Sequence, residues 1–264
     1  MNSEVALRMG FFFGIFGVMA LLETLFPRKK RTASRAIRWV NNVAVTFLGS
    51  ALTRLLLPLG AVGAAAVAAE RGWGFFNHVP LPVLWEGVIV VLFLDMLIYW
   101  QHVVFHVVKP FWKLHMMHHA DLDIDVTTGA RFHPVEIVLS MLVKICAVLL
   151  LGAPAWSVVA FEVILNGTAM FNHSNVYLPL PLDRLIRKAV VTPDMHRVHH
   201  SVIIRETNSN YGFNLSIWDR LFGTYRDQPV KGHDGMTIGL ANFRDPGDLW
   251  LPRMVAMPLG ERER

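Results

Sequence analysis

The chain has 264 residues, of which 53% are hydrophobic and only 17% charged, with a mean hydropathy of +0.41; soluble domains carry about 25% charged residues. The formal charge of +5 does not imply nucleic acid as a partner, because the densest basic cluster, Arg28-Lys29-Lys30-Arg31 with Arg35 and Arg38, directly follows a hydrophobic run and reads as a topology signal or an anionic-lipid contact. Cys146 is the only cysteine, which excludes an intrachain disulfide and a thiolate site of zinc-finger type, so any metal must be held by nitrogen and oxygen.

Apolar residues come in long runs separated by basic loops. The expected architecture is therefore all-α: a polytopic membrane bundle of about four to five membrane-embedded segments with a cytosolic, helical, histidine-rich cap. The first run, Val5 to Phe26, is too long for a signal peptide and lacks a small-residue cleavage site, so it reads as a retained transmembrane helix. Gly10 and Gly14 give it a small-xxx-small face. The second run, Trp39 to Ala69, is interrupted by Arg54, Pro58 and Gly60, which implies a kinked helix or a helix plus a re-entrant piece. Trp73, Phe75 and Phe76 in the following loop suit an interfacial aromatic belt.

The third run spans Val83 to Val108 and carries Asp95, Tyr99, His102 and His106 in its second half. A polar stretch leads to His133. A further apolar block, Val135 to Phe171, divides at Gly152-Ala153-Pro154 into a hairpin, and the chain from Asn172 onward is polar enough to lie outside the bilayer. The organisation expected is N-terminal transmembrane helices over 1–82, a catalytic domain over 83–227 and a tail over 228–264.

Six basic residues in the first loop assign it to the cytoplasm. Counting crossings from there brings His102 to His119, His173 and His196 to His200 out on the same cytosolic face. The protein is thus expected in a bacterial inner membrane or, in a eukaryote, the endoplasmic reticulum, with its site facing the cytosol.

Eight of the twelve histidines fall into three groups: His102-x-x-x-His106, His115-x-x-His118-His119 and His196-x-x-His199-His200. Residues three and four apart on a helix share a face, so each group directs its imidazoles one way. Thr192-Pro193-Asp194 supplies a helix start for the third group: an N-cap, a proline at N1 and an acid in the first turn. His173 follows Asn172 at the same predicted membrane face and is taken as a ninth ligand. Asp95, on the face of His102, is expected to fix a ligating imidazole. His133, in Arg131-Phe132-His133-Pro134-Val135-Glu136, is placed behind the ligands together with Asn172, and a helix cap explains it nearly as well. His78 and His233 are isolated. Imidazole suits zinc, copper, iron and nickel, so the spacing does not choose a metal. Eight or nine imidazoles do imply two metals, since zinc sites usually stop at four ligands.

These groups, in this order and with these apolar intervals, resemble the fatty acid hydroxylase/sterol desaturase superfamily. Asp95 with Tyr99-Trp100, Arg131-Phe132-His133-Pro134, Phe171-Asn172-His173-Ser174-Asn175, Asn210-Tyr211-Gly212 and Trp218-Asp219-Arg220-Leu221-Phe222-Gly223-Thr224 extend the resemblance over residues 83 to 227. It implies a non-haem di-iron enzyme that uses O₂ and external electrons to attack an unactivated C–H bond. The metal ligands it implies are His102, His106, His115, His118, His119, His173, His196, His199 and His200. Two positions depart from the pattern. Val103 stands where many relatives have arginine, and Ala169 stands where some branches have a further histidine.

The lipid attacked is expected to be a sterol, a fatty acyl chain or another isoprenoid lipid. Hydroxylation and desaturation begin with the same hydrogen abstraction. A groove along the third and later spans, near Trp100, Trp112, Met116 and Met117, is the expected entry. No haem segment and no Gly-rich dinucleotide fingerprint occurs, so electrons are expected from a separate ferredoxin, cytochrome b5-like protein or reductase, with Arg184 to Lys188, Arg197 and Arg205 as a docking tract. Other readings share part of the pattern. A haem-binding electron-transfer protein leaves the repeated His-x-x-His-His unexplained, and a metal transporter needs polar ligands in several spans. A di-zinc membrane hydrolase uses the same ligands without redox change.

Overall fold

The long apolar runs carry few residues that interrupt a helix, and they become the long helices of a computed structural model that describes residues 2–79 and 81–262. Seven helices make up the first two thirds: α1 (Asn2–Leu25), α2 (Arg35–Leu56), α3 (Gly60–Arg71), α4 (Val83–Val107), α5 (Lys109–His119), α6 (Pro134–Leu151) and α7 (Ala155–Asn172). Short helices follow: α8 (Leu180–Ile186), α9 (Pro193–His199), α10 (Ile204–Thr207), α11 (Ile217–Leu221), α12 (Gly232–Gly235) and α13 (Leu251–Ala256). Among the described residues there is no strand, only isolated bridges. Four stretches are long and apolar enough to cross a membrane: Val5–Leu25, Arg35–Asn77, Val83–Val107 and Pro134–Leu151.

Local chemistry explains where the runs break. The second run divides at Leu57–Leu59, where Pro58 lacks an N–H and Gly60 adopts φ 58°. It begins at Arg35 rather than Trp39, because the Ser34 side chain caps the Ile37 N–H. The α6–α7 hairpin turns at Gly152, whose φ of 65° suits glycine, and Pro154 caps the start of α7. Val108 is extended between α4 and α5, so two histidine-bearing helices meet at an angle.

Small and branched side chains from α3, α4, α6 and α7, including Ala64, Ala65, Val90, Leu94, Val148 and Phe161, form the bundle core. The outward faces are apolar too: Leu55 is 77% exposed, Leu150 75% and Phe47 70%. A surface of that kind is stable in lipid and not in water. This is a membrane protein.

The basic loop after α1 does more than signal topology. Arg28 pairs with Asp194 at 3.0 Å and Asp234 at 2.8 Å, while Arg31 and Arg35 lie 3.4 and 3.3 Å from Glu23. Glu23 Oε2 also accepts the Val126 N–H at 3.0 Å and the Asn175 N–H at 3.2 Å. Instead of the alternative lipid contact, these bases meet Glu23 of α1 and the cap acids Asp194 and Asp234. Arg38 is fully buried: its Nε donates to Asp121 Oδ1 at 2.6 Å, its Nη2 to Asp121 Oδ2 at 2.8 Å, and its Nη1 to Asp125. Burial alone would raise the Asp121 carboxyl, but the guanidinium of Arg38, helped by Arg131, brings it down to about 2.

Candidate metal centre

Nine buried histidines converge from α4, α5, the end of α7, and α9. They form two groups whose potential ligand atoms lie within 4.8 Å of one another: His102, His106, His115, His119 and His199 in one, His118, His173, His196 and His200 in the other. The sequence motifs do not map one to a group. In each His-x-x-His-His, the i and i+4 rings join one group and the i+3 ring joins the other, because 300° and 400° of helical rotation place them on different flanks. The shared face expected of all three rings therefore holds only for the i, i+4 pairs.

Backbone carbonyls fix most of the rings. His102 Nδ1–H donates to Tyr211 O, His173 Nδ1–H to Ala169 O and His199 Nδ1–H to Ser209 O, each at 2.7 Å, and His118 Nδ1–H donates to Arg131 O at 3.2 Å. A carbonyl only accepts, so each of these Nε2 atoms carries its lone pair inward. His118 Nε2 and His173 Nε2 then face each other at 3.1 Å, an arrangement that is repulsive without a cation between them. Ligands at right angles on one ion, each about 2.0–2.1 Å away, are about 3 Å apart. His119 and His200 have no partner for either buried nitrogen, and His199 has none for Nε2. The residues present fit a bound metal at each group.

The side chains placed behind the ligands differ from expectation in detail. Asp95 does not hold an imidazole; its Oδ2 accepts from Trp218 Nε1 at 2.8 Å and from the Leu215 N–H at 3.2 Å. Seven residues before His102 is two helical turns, about 10 Å along the axis, which is too far. Asn172 Nδ2 donates to Phe213 O at 2.9 Å and anchors the loop that presents Tyr211 O. His133 accepts the Val135 N–H on Nδ1 and donates from Nε2 to Val255 O, both at 3.2 Å. Both its nitrogens are used, and it caps α6. The residue the sequence reading missed is Glu136, whose Oε1 accepts from His115 Nδ1–H at 2.7 Å; its place at the third position of α6 was legible only as a cap. Asp219 holds the same loop as Asn172, accepting from the Tyr211 N–H at 2.7 Å and the Gly212 N–H at 2.9 Å. A Cβ at Gly212 would fall 2.7 Å from that carboxylate.

A sequence profile described as fatty acid hydroxylase matches residues 87–224, a little over half of the chain and all nine histidines. The chain belongs to the fatty acid hydroxylase family. It is 28% identical over 218 residues to the ornithine lipid hydroxylase OlsE of Rhizobium tropici, covering 80% of this chain and 65% of that one. It is 29% identical over 190 residues to the alkylglycerol monooxygenase of Danio rerio (70% and 40% covered). To the Delta(7)-sterol 5(6)-desaturase of Eremothecium gossypii it is 30% identical over 142 residues (54% and 38%). The chain thus spans from under two fifths to just under two thirds of the length of these relatives. No solved structure matches it significantly.

In this member of the fatty acid hydroxylase family, a cavity of about 350 Å³ leads from the histidines into the bundle, between α1, α2, α4, α6 and α7. His102 and His115 form part of its wall, and Arg8, Lys144 and Glu162 line it farther along. Arg8 lies 2.6 Å and Lys144 3.0 Å from the Glu162 carboxylate. The cavity runs along the third and later spans as expected, through α4, α6 and α7, but Trp112, Met116 and Met117 do not line it. Those side chains pack with Val45, Phe243 and Met254 in the core of the cap. The basic docking tract is also reduced, because Arg187 pairs with Asp183 and Asp227 and Arg197 is buried beside Asp194 and Asn175.

Burial, followed by the neighbouring imidazoles, holds His118, His119, His196 and His200 well below the ordinary histidine range; His199 is lowered in the same way, and burial brings His173 to about 3. Above about pH 6.5 these groups are neutral both folded and unfolded and carry no penalty. Below it the unfolded chain binds protons that the fold refuses, so stability falls by up to about 1.4 kcal/mol per pH unit for each histidine. The metal-free protein is therefore expected to lose thermal stability steeply between about pH 7 and pH 5, read as its unfolding midpoint across that range. A flat profile would contradict neutral, buried imidazoles.

Proposed function

We propose that this chain is an O₂-dependent oxidoreductase that hydroxylates or desaturates an unactivated C–H bond of a membrane lipid, with two irons held by His102, His106, His115, His119 and His199, and by His118, His173, His196 and His200. The observation that carries the reading is the opening of an all-imidazole, two-group site onto a cavity inside the membrane bundle. The relatives are named for lipid oxidation: an ornithine lipid hydroxylase, an alkylglycerol monooxygenase and a sterol desaturase.

Bound there, iron would supply O₂ activation and hydrogen removal. The protein does the rest. Carbonyl-anchored Nδ1 atoms hold the rings in one tautomer, with Nε2 available for the metal. The apolar wall excludes water and receives the lipid from the bilayer. Electrons come from a separate donor such as a ferredoxin, a cytochrome b5-like protein or a reductase. The six bases after α1 support a multi-pass topology with the histidines on the cytosolic side.

The test is metal analysis of the purified protein, paired with mass spectrometry of host lipids for wild type and His118→Ala. Iron near two per chain, with one oxygenated or unsaturated lipid missing in the variant, is the expected result. Zinc with no O₂-dependent product would replace this reading with a di-zinc hydrolase.

A further inference from the structure

The cavity has an apolar wall, including Phe12, Ile98, Phe132, Met141 and Leu165, yet it is not what a bare hydrocarbon chain needs. Beside His102 and His115 it presents two polar side chains, Gln101 of α4 and Glu136 of α6. Glu136 is 4% exposed. Its Oε1 accepts from His115, but its Oε2 is buried without a donor, and so is the Gln101 amide oxygen. Buried acceptors left unmade are costly and call for an explanation. The other charges of the cavity are answered: Lys144 and Arg8 both reach Glu162, and Lys144 lies two turns, about 12 Å, along α6 from Glu136. Unmet hydrogen-bond capacity is therefore concentrated at the histidine end.

We propose that Glu136 and Gln101 bind a hydrogen-bond-donating group of the lipid, a hydroxyl or an ammonium, so that the carbon oxidised is one beside that polar group rather than a methylene deep in an acyl chain. This rests on the lipid-oxidation reading of the site. With Oε1 already accepting from His115 Nδ1–H, the partnerless Oε2 and the Gln101 oxygen are acceptors without a donor, so a plain chain leaves both unmet and an ether oxygen adds only a further acceptor. Glu136 joins the two tasks: one oxygen holds the His115 ring and the other holds the substrate, which sets the donor group one imidazole away from the metal side. Glu136 is thus a specificity-determining as well as a positioning residue.

The experiment uses the full-length protein loaded with redox-inert zinc, in detergent micelles, and titrates radiolabelled hexadecanol, hexadecylamine and hexadecyl methyl ether. The alcohol or the amine, or both, are expected to bind about tenfold or more tighter than the ether, as for hydrogen bonds made to buried acceptors that are otherwise left unmet. Which of the two binds tighter tells a hydroxyl-bearing substrate from an ammonium-bearing one. Glu136→Gln keeps an acceptor for His115 but turns an NH₂ toward the ligand. It is expected to bring the ratio within about twofold while metal content holds. Equal binding of all three probes by wild type, or a full preference retained in Glu136→Gln, overturns the proposal. Should that variant not fold, Gln101→Leu carries the test: the ratio is expected to fall about threefold or more, and an unchanged ratio overturns it. Binding is read without turnover, so an intact preference with no O₂-dependent product fails the oxidation reading, and with it the choice of carbon, while the polar-group binding by Glu136 and Gln101 holds.

Discussion

Under competition from a chelator, His200→Ala is expected to keep about one ion per chain, whereas His199→Ala, one residue away, stays close to two. The difference follows from the partition of the motif. His200 belongs with His118, His173 and His196, and its loss leaves three imidazoles. His199 belongs with His102, His106, His115 and His119, and its loss leaves four, enough for a tetrahedral site. Both variants are expected to lose lipid oxidation by about a hundredfold or more, since even residues behind a ligand are worth ten- to a hundredfold. Metal content by mass spectrometry and product formation in membranes check the pair together. The opposite ranking of metal content would mean that the two groups are not the binding units.

Arg38→Met is expected to destabilise the protein by about 3–5 kcal/mol, the range for removing one partner of a buried ion pair. Asp121 and Asp125, buried on either side of the guanidinium, would be left without their cation. The damage would reach the site, because the segment they organise ends at Arg131, whose carbonyl holds His118. Thermal unfolding of the metal-loaded protein measures it. A loss below about 1 kcal/mol, the scale of a surface pair, would show that this cluster does not hold the cap. Arg38→Lys is expected to recover only part of the loss, since an ammonium cannot span two carboxylates with a planar fork.

Much of the site was legible because metal chemistry restricts residue type. Histidines at three- and four-residue spacing stand out in an apolar chain, and hydropathy with the basic first loop predicts that they emerge together. What was not legible has physical reasons. Three rings lean on the carbonyls of Ala169, Ser209 and Tyr211, and a carbonyl has no residue signature. Glu136 at the third position of a helix looks like a cap until the fold brings His115 against it. Asp95 was assigned to a histidine because a carboxylate in a membrane span demands a partner. The demand was real, but Trp218 lies more than a hundred residues away and meets it. The bases after α1 show the same limit: a charge pattern points to a membrane face and does not reveal the acids that fold against it.

Helix α1 is tied by hydrogen bonds at its C-terminal end. Phe26 O accepts the Tyr177 N–H at 2.8 Å, the Arg28 N–H reaches Asn175 O at 2.7 Å, and Glu23 ties the same segment. Two turns from its start the helix leans on α7 through Arg8 and Glu162. None of the nine histidines lies on it. Between these ties it packs along α7, with Ile15 against Gly167, and sets Phe16 on Trp39 of α2, forming one wall of the cavity. Because no ligand lies on this helix, a substitution on its cavity face, at Phe12, reshapes the chamber wall without touching an imidazole.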